Sequence, residues 1–91
     1  MDINVVPKAD LRVRYNRVGK SAFLIRESCG FELNELGREI WSKIDGIASV
    51  EDIARAIASA YDEESDQVVQ DVVEFLGELK KNHLITLQEN L

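Results

Sequence analysis

The sequence predicts an α+β domain, with three strands in an antiparallel meander followed by three helices. The hydrophobic period changes at Leu33-Asn34 from the two-residue alternation of a half-buried strand to the 3.6-residue recurrence of a helix. The charge changes at the same place. Residues 1–33 carry six basic and four acidic side chains, and residues 34–91 carry five and thirteen. At 91 residues, 45% hydrophobic and 31% charged, the chain suits one folded domain spanning residues 1–91.

In the first part, Leu11, Val13 and Tyr15 alternate with Arg12, Arg14 and Asn16, which predicts a strand. A turn over Asn16–Lys20, containing Gly19, leads to the more apolar strand Ala22–Arg26. Ser28-Cys29-Gly30 then turns the chain into a short third strand, Phe31–Leu33. Pro7 marks the preceding residues as a loose arm. In the second part, Asn34 is a good N-cap for a helix that buries Leu36, Ile40, Trp41 and Ile44 and stops at Asp45-Gly46. Ser49 and Asp52 have the spacing of a capping box, opening a helix with Val50, Ile53, Ala54 and Ile57 inward. The acids Asp62, Glu63, Glu64 and Asp66 suit the start of a third helix from about Asp66 to Lys81, and Lys80 and Lys81 suit its end. Leu84–Leu87 reads as a final strand or docked tail.

Composition excludes much chemistry. A net charge of −6 disfavours nucleic acid and anionic membranes, which both require a cationic footprint. No apolar run is long enough to span a bilayer, no secretory signal pattern opens the chain, and a single Cys cannot form an internal disulfide, so a cytoplasmic location is expected. One Cys and one His do not make a Cys/His zinc site, and the acidic run lacks the Gly and bidentate Glu of a calcium loop. Cys29 reads as packing or incidental, and His83 as a helix-end or surface residue. No catalytic constellation and no cofactor motif is present, so neither an enzyme nor a cofactor is expected.

The third helix carries more information. Val68, Val72, Phe75 and Leu79 form one stripe, which should face the core. Val69, Val73 and Leu76 lie roughly 60–100° to one side of it, and Lys80 continues that line. This flank is either further core or the wall of an apolar groove. A small sheet always leaves edge strands, whose free N–H and C=O groups can receive a peptide by β-augmentation.

Leu33-Asn34, Ile40-Trp41, Ile44-Asp45-Gly46, Val50-x-x-Ile53, Tyr61 and Asp71-Val72-x-x-Phe75-Leu76-x-x-Leu79 together resemble the PqqD-like family. These are the precursor-peptide recognition elements of pathways that make ribosomally synthesised, post-translationally modified peptides. The resemblance spans about residues 8–87, the core of the domain. It departs at Asn82-His83, where members commonly carry Gly, a position at which Asn tolerates the left-handed backbone. The resemblance implies a winged helix-turn-helix-like fold that binds a precursor leader peptide as a strand added to the third strand. The leader is then presented to a peptide-modifying enzyme: a radical S-adenosylmethionine enzyme, a leader peptidase or a cyclodehydratase. Carried onto this chain, the strand wall is Gly30, Phe31, Glu32 and Leu33, and the helix wall is Val69, Val73, Leu76 and Lys80. Two other readings compete, a winged-helix DNA-binding regulator and an accessory scaffold that binds no leader. The first is opposed by the acidic balance of residues 34–91.

Overall fold

The structure, a computed structural model, describes residues 1–89. The chain runs β1 (Val6–Ala9), β2 (Arg14–Val18), β3 (Ser21–Arg26), β4 (Cys29–Leu33), α1 (Glu35–Ser42), α2 (Val50–Tyr61), α3 (Ser65–Lys81) and β5 (Ile85–Gln88). The expected meander is the antiparallel sheet β2-β3-β4, and the three expected helices follow it.

The meander differs from expectation in its boundaries. The Asp10 carboxylate accepts the Arg12 N–H at 2.8 Å, and the Asp10 carbonyl accepts that of Val13 at 3.1 Å. This turn expels Leu11, which is 95% exposed, and delays β2 to Arg14. The first hairpin turns on two residues, Gly19 and Lys20, because Gly19 takes φ +61° without steric penalty. The second turns on Glu27-Ser28, which brings Cys29 and Gly30 into β4.

The N-terminal segment is not a loose arm. Pro7 is buried within β1, which pairs antiparallel with β5 in the register Val6↔Gln88 to Ala9↔Ile85. Proline is tolerated because a two-stranded ribbon does not demand every N–H of a strand. The N–H groups of Val50 and Glu51 at the start of α2 donate to the carbonyls of Val5 and Ile3, which ties the arm to the helices.

The helix caps follow the sequence. The Asn34 side chain accepts the Gly37 N–H at 2.7 Å, and Ser49 and Asp52 form a complete capping box. Asp62 has φ +52° and closes α2, with the Glu63 N–H donating to Ala58. Asp62 therefore ends α2, and Asp66 alone supplies the acid in the first turn of α3. At the end of α3 the left-handed residue is His83, φ +61°, and not Asn82. His83 N–H donates to Lys80 and Leu84 N–H to Leu79, a Schellman closure. The core joins Ala22, Leu24 and Leu33 from the sheet to Ile40, Ile53, Ile57, Val72, Leu76 and Leu79 from the helices. Trp41 and Ile44 pack against it half-buried.

Two predictions follow from these ends. His83→Gly removes a left-handed strain of about 1–2 kcal/mol at the expense of about 0.5–1 kcal/mol of chain entropy. The midpoint of thermal unfolding should therefore rise by a few degrees, and a fall would show that the imidazole makes a compensating contact. Asp45 accepts the N–H groups of Ile47 and Ala48, each at 2.8 Å, and these bonds hold its carboxyl below the usual range. Its contribution to stability is present above the unfolded pKa of about 3.9 and is lost as pH falls through the folded value. In urea titrations, the stability gap between the parent and Asp45→Ala should be constant near neutrality and narrow in acid.

Candidate functional site

Strand order β2-β3-β4 leaves two open edges, β2 and β4. All five residues of β2 are exposed, whereas β4 runs beside the helices. Residues flanking a two-residue hairpin exchange hydrogen bonds, here Arg26 and Cys29, and the pattern then alternates along the pair. Cys29, Phe31 and Leu33 therefore direct their backbone groups at β3, while Gly30 and Glu32 direct theirs at the open side. Gly30 has open space about its Cα, so nothing blocks an approaching chain there.

Beside this edge runs a trough. Its middle, a cleft of about 330 Å³, is lined by Phe31, Glu32, Leu33, Asn34 and Phe75. At the Leu33 end it continues into a cleft bordered by Asp71, Glu74, Phe75 and Glu78. At the Cys29 end, Arg26, Cys29, Gly30, Phe31, Lys81 and His83 line a further cleft of about 320 Å³. Phe31 and Phe75 meet edge to face across the floor, with centroids 6.3 Å apart and planes at 67°. Behind Phe75 lies Gly37 of α1. A Cβ there would stand 2.9 Å from the Phe75 ring and 3.1 Å from the Asn34 carboxamide oxygen. Gly37 thus lets α3 bring an aromatic ring against α1 and β4 at once.

This arrangement revises the helix wall. Leu76 is fully buried, and the core stripe of α3 is Val68, Val72, Leu76 and Leu79; Phe75 is half-buried at its edge. Val69 and Val73 are half-buried and Lys80 is exposed, but at about 100° per residue they lie roughly 120–160° from Phe75. The flank turned to β4 carries Phe75, with Asp71 and Glu78 beyond it. A stripe defined by periodicity has two flanks, and only the handed packing of α3 on the sheet selects between them. On the strand wall Gly30 and Glu32 are exposed and Phe31 is half-buried, while Leu33 is core that reaches the cleft only at its end. Val69, Val73, Leu76 and Lys80 therefore lie outside the side-chain lining facing β4's open edge, Leu33 touches it only at its end, and Phe75 with Gly37 behind it joins it. The 2.9 Å approach at Gly37 had no counterpart in the hydrophobic pattern.

A second concavity of about 400 Å³ opens between the helices, lined by Asn34, Glu35, Leu36, Ile57, Tyr61, Glu63, Val68 and Asp71. Desolvation first, then Glu39 and Glu35, push the Tyr61 phenol up. It offers no strand edge. No group of metal-ligating side chains occurs among the described residues, and no helix there is long and apolar enough to cross a membrane. α3 carries exposed Glu74 and Glu78 with half-buried Asp71 beside them, the wrong sign for a helix reading duplex DNA.

The family model described as coenzyme PQQ synthesis protein D (PqqD) matches residues 24–85. The chain belongs to the PqqD family. The matched PqqD segment runs from β3 to the first residue of β5, so it includes β4, α3 and the trough between them. A "PqqA binding protein" of Xanthomonas oryzae pv. oryzae (strain PXO99A) is 26% identical over 80 residues, covering 88% of this chain and 87% of that protein. Among solved structures, TbiB1 in complex with the TbiA(beta) leader peptide is similar, with TM-score 0.76 and 25% identity over 86% of this chain and 93% of that one. PqqD from Xanthomonas campestris shares the fold, with TM-score 0.64 and 23% identity over 87% and 88% of the two chains. The α+β architecture predicted from the sequence is thus the PqqD architecture.

The Gly37–Phe75 contact makes a specific prediction for this PqqD-family chain. Gly37→Ala should destabilise it by about 1–3 kcal/mol through overpacking, despite the better helix propensity of Ala. Adding Phe75→Leu should recover part of the loss, measured by urea unfolding. Equal stability of Gly37→Ala and the parent would show that the ring moves freely.

Proposed function

We propose that this chain is a non-catalytic recognition element in the biosynthesis of ribosomally synthesised, post-translationally modified peptides. It binds the leader of a precursor peptide as an added strand along β4 and presents it to the modifying enzyme. The observation that carries this reading is the open edge of β4 beside an aromatic-floored trough. Main-chain bonding to Gly30 and Glu32 supplies affinity, while Phe31 and Phe75 supply a site for one apolar leader side chain. Membership of the PqqD family, a relative named for binding PqqA, and a similar structure holding a leader peptide all support it. With no catalytic side chains gathered at the trough, its chemistry is that of binding: the leader is held while its partner enzyme acts. The partner is an enzyme of the kind that modifies or cleaves precursor peptides, a radical S-adenosylmethionine enzyme, a leader peptidase or a cyclodehydratase. Leader and enzyme would meet in the cytoplasm, where precursor peptides are made.

Titration of isotope-labelled protein with leader peptides from precursors encoded beside its gene tests the reading. Amide shifts should centre on β4 and on α3 around Phe75. Shifts confined to β2 or to α2 would overturn the placement. Phe75→Ala should weaken binding about tenfold while leaving the domain folded, whereas Val73→Ala on the opposite flank should change affinity less than about twofold. The reverse ranking would restore the Val69–Val73 flank as the wall.

A further inference from the structure

The trough along β4 is electrically graded. Toward its Leu33 end stand three carboxylates, Glu32, Asp71 and Glu74, while Glu78 lies past Phe75, one helical turn from Lys81. At its Cys29 end stand Arg26, Lys81 and His83, with Glu27 as the one carboxylate lining that cleft. The Arg26 side chain is 17% exposed, and its Nε is buried without a hydrogen-bond partner. Its nearest carboxylate, Asp10, is 4.0 Å away and already bound by Arg12 through two side-chain contacts at 3.0 Å. That pairing with Arg12 holds the Asp10 carboxyl well below the usual carboxylate range. Arg26 thus lines the cationic end with its Nε buried beside Asp10, which is itself engaged by Arg12.

The two ends are close enough to be read by one peptide and far enough apart to be distinguished. Five residues of strand span about 17 Å, longer than the Debye length of about 10 Å in ~0.1 M salt. An incoming chain that continues the antiparallel order of β2-β3-β4 enters at Leu33 and leaves at Cys29. Antiparallel pairing is also slightly more stable per residue than parallel pairing.

We infer that the trough selects a peptide segment by charge order, cationic on the N-terminal side of an apolar centre and anionic on its C-terminal side. The inference rests on strand addition at β4 and specifies the chemical class of leader that the site takes. The apolar centre sits over Phe31 and Phe75, lysine or arginine side chains meet Glu32, Asp71 and Glu74, and a C-terminal carboxylate side chain meets Arg26 and Lys81. Like charges at either end repel, so the reversed order is rejected as well as unrewarded.

The test uses two short peptides with blocked termini and one shared Val/Leu/Thr centre. One carries two lysines before the centre and two glutamates after it, and the other carries the same residues with the charges exchanged. At about 50 mM salt the first should bind about tenfold more tightly, and the preference should shrink at about 500 mM. Arg26→Gln with Lys81→Gln should reduce the preference to about threefold, the remainder coming from the acidic end. Equal affinities with amide shifts still on β4 and around Phe75 would overturn the charge-order inference and leave strand addition standing. Preference for the exchanged peptide would overturn the inferred antiparallel order. Binding of both peptides with no shifts on β4 would overturn strand addition and the charge-order inference with it.

Discussion

The site depends on one packing contact, the seating of Phe75 between Phe31 of β4 and the bare backbone of Gly37 in α1. That contact fixes how closely α3 approaches the sheet edge and which of its flanks faces the open strand. The ring is half-buried because it lies at the margin of the core stripe. Leu76, one residue later, turns through about 100° into the centre of the core. A trough with an aromatic floor is the consequence. A larger residue at position 37 would push the ring outward and fill the space beside β4.

Edge strands ordinarily invite uncontrolled association. The two edges of this sheet differ in what surrounds them. β2 exposes Arg14 and Arg17, and cationic side chains on an edge discourage pairing with another copy of the same chain. The β4 edge is flanked by α3, so an added strand gains side-chain contacts as well as backbone hydrogen bonds. Asp71, Glu74 and Glu78 of the second part border the trough along α3, and Arg26 of the first part stands with Lys81 at its far end.

Much of this fold was legible because local chemistry dictates it. Asn34 and the Ser49–Asp52 pair announce helix starts that no tertiary contact has to create, and the short apolar run Ala22–Arg26 after the Gly19 turn identifies the central strand. The first strand was misplaced because Asp10 captures the Arg12 N–H, a side-chain turn that overrides the alternation beginning at Leu11. β1 was missed because Pro7 signals irregular chain, and its partner lies at the opposite end of the sequence. The left-handed residue was assigned to Asn82 on propensity, yet the Schellman closure falls one position later and His83 must adopt it. On α3, periodicity located the buried stripe to within one residue but carried no information on which flank meets β4.

The central claim is that β4 offers the backbone of Gly30 and Glu32 to an added strand, and hydrogen exchange tests it most directly. In the free protein the amides of Phe31 and Leu33 should be protected by β3, while those of Gly30 and Glu32 exchange rapidly. Saturation with a bound leader peptide should slow Gly30 and Glu32 by about a hundredfold or more and leave the β2 amides unchanged. Peptide binding without new protection at Gly30 and Glu32 would contradict strand addition.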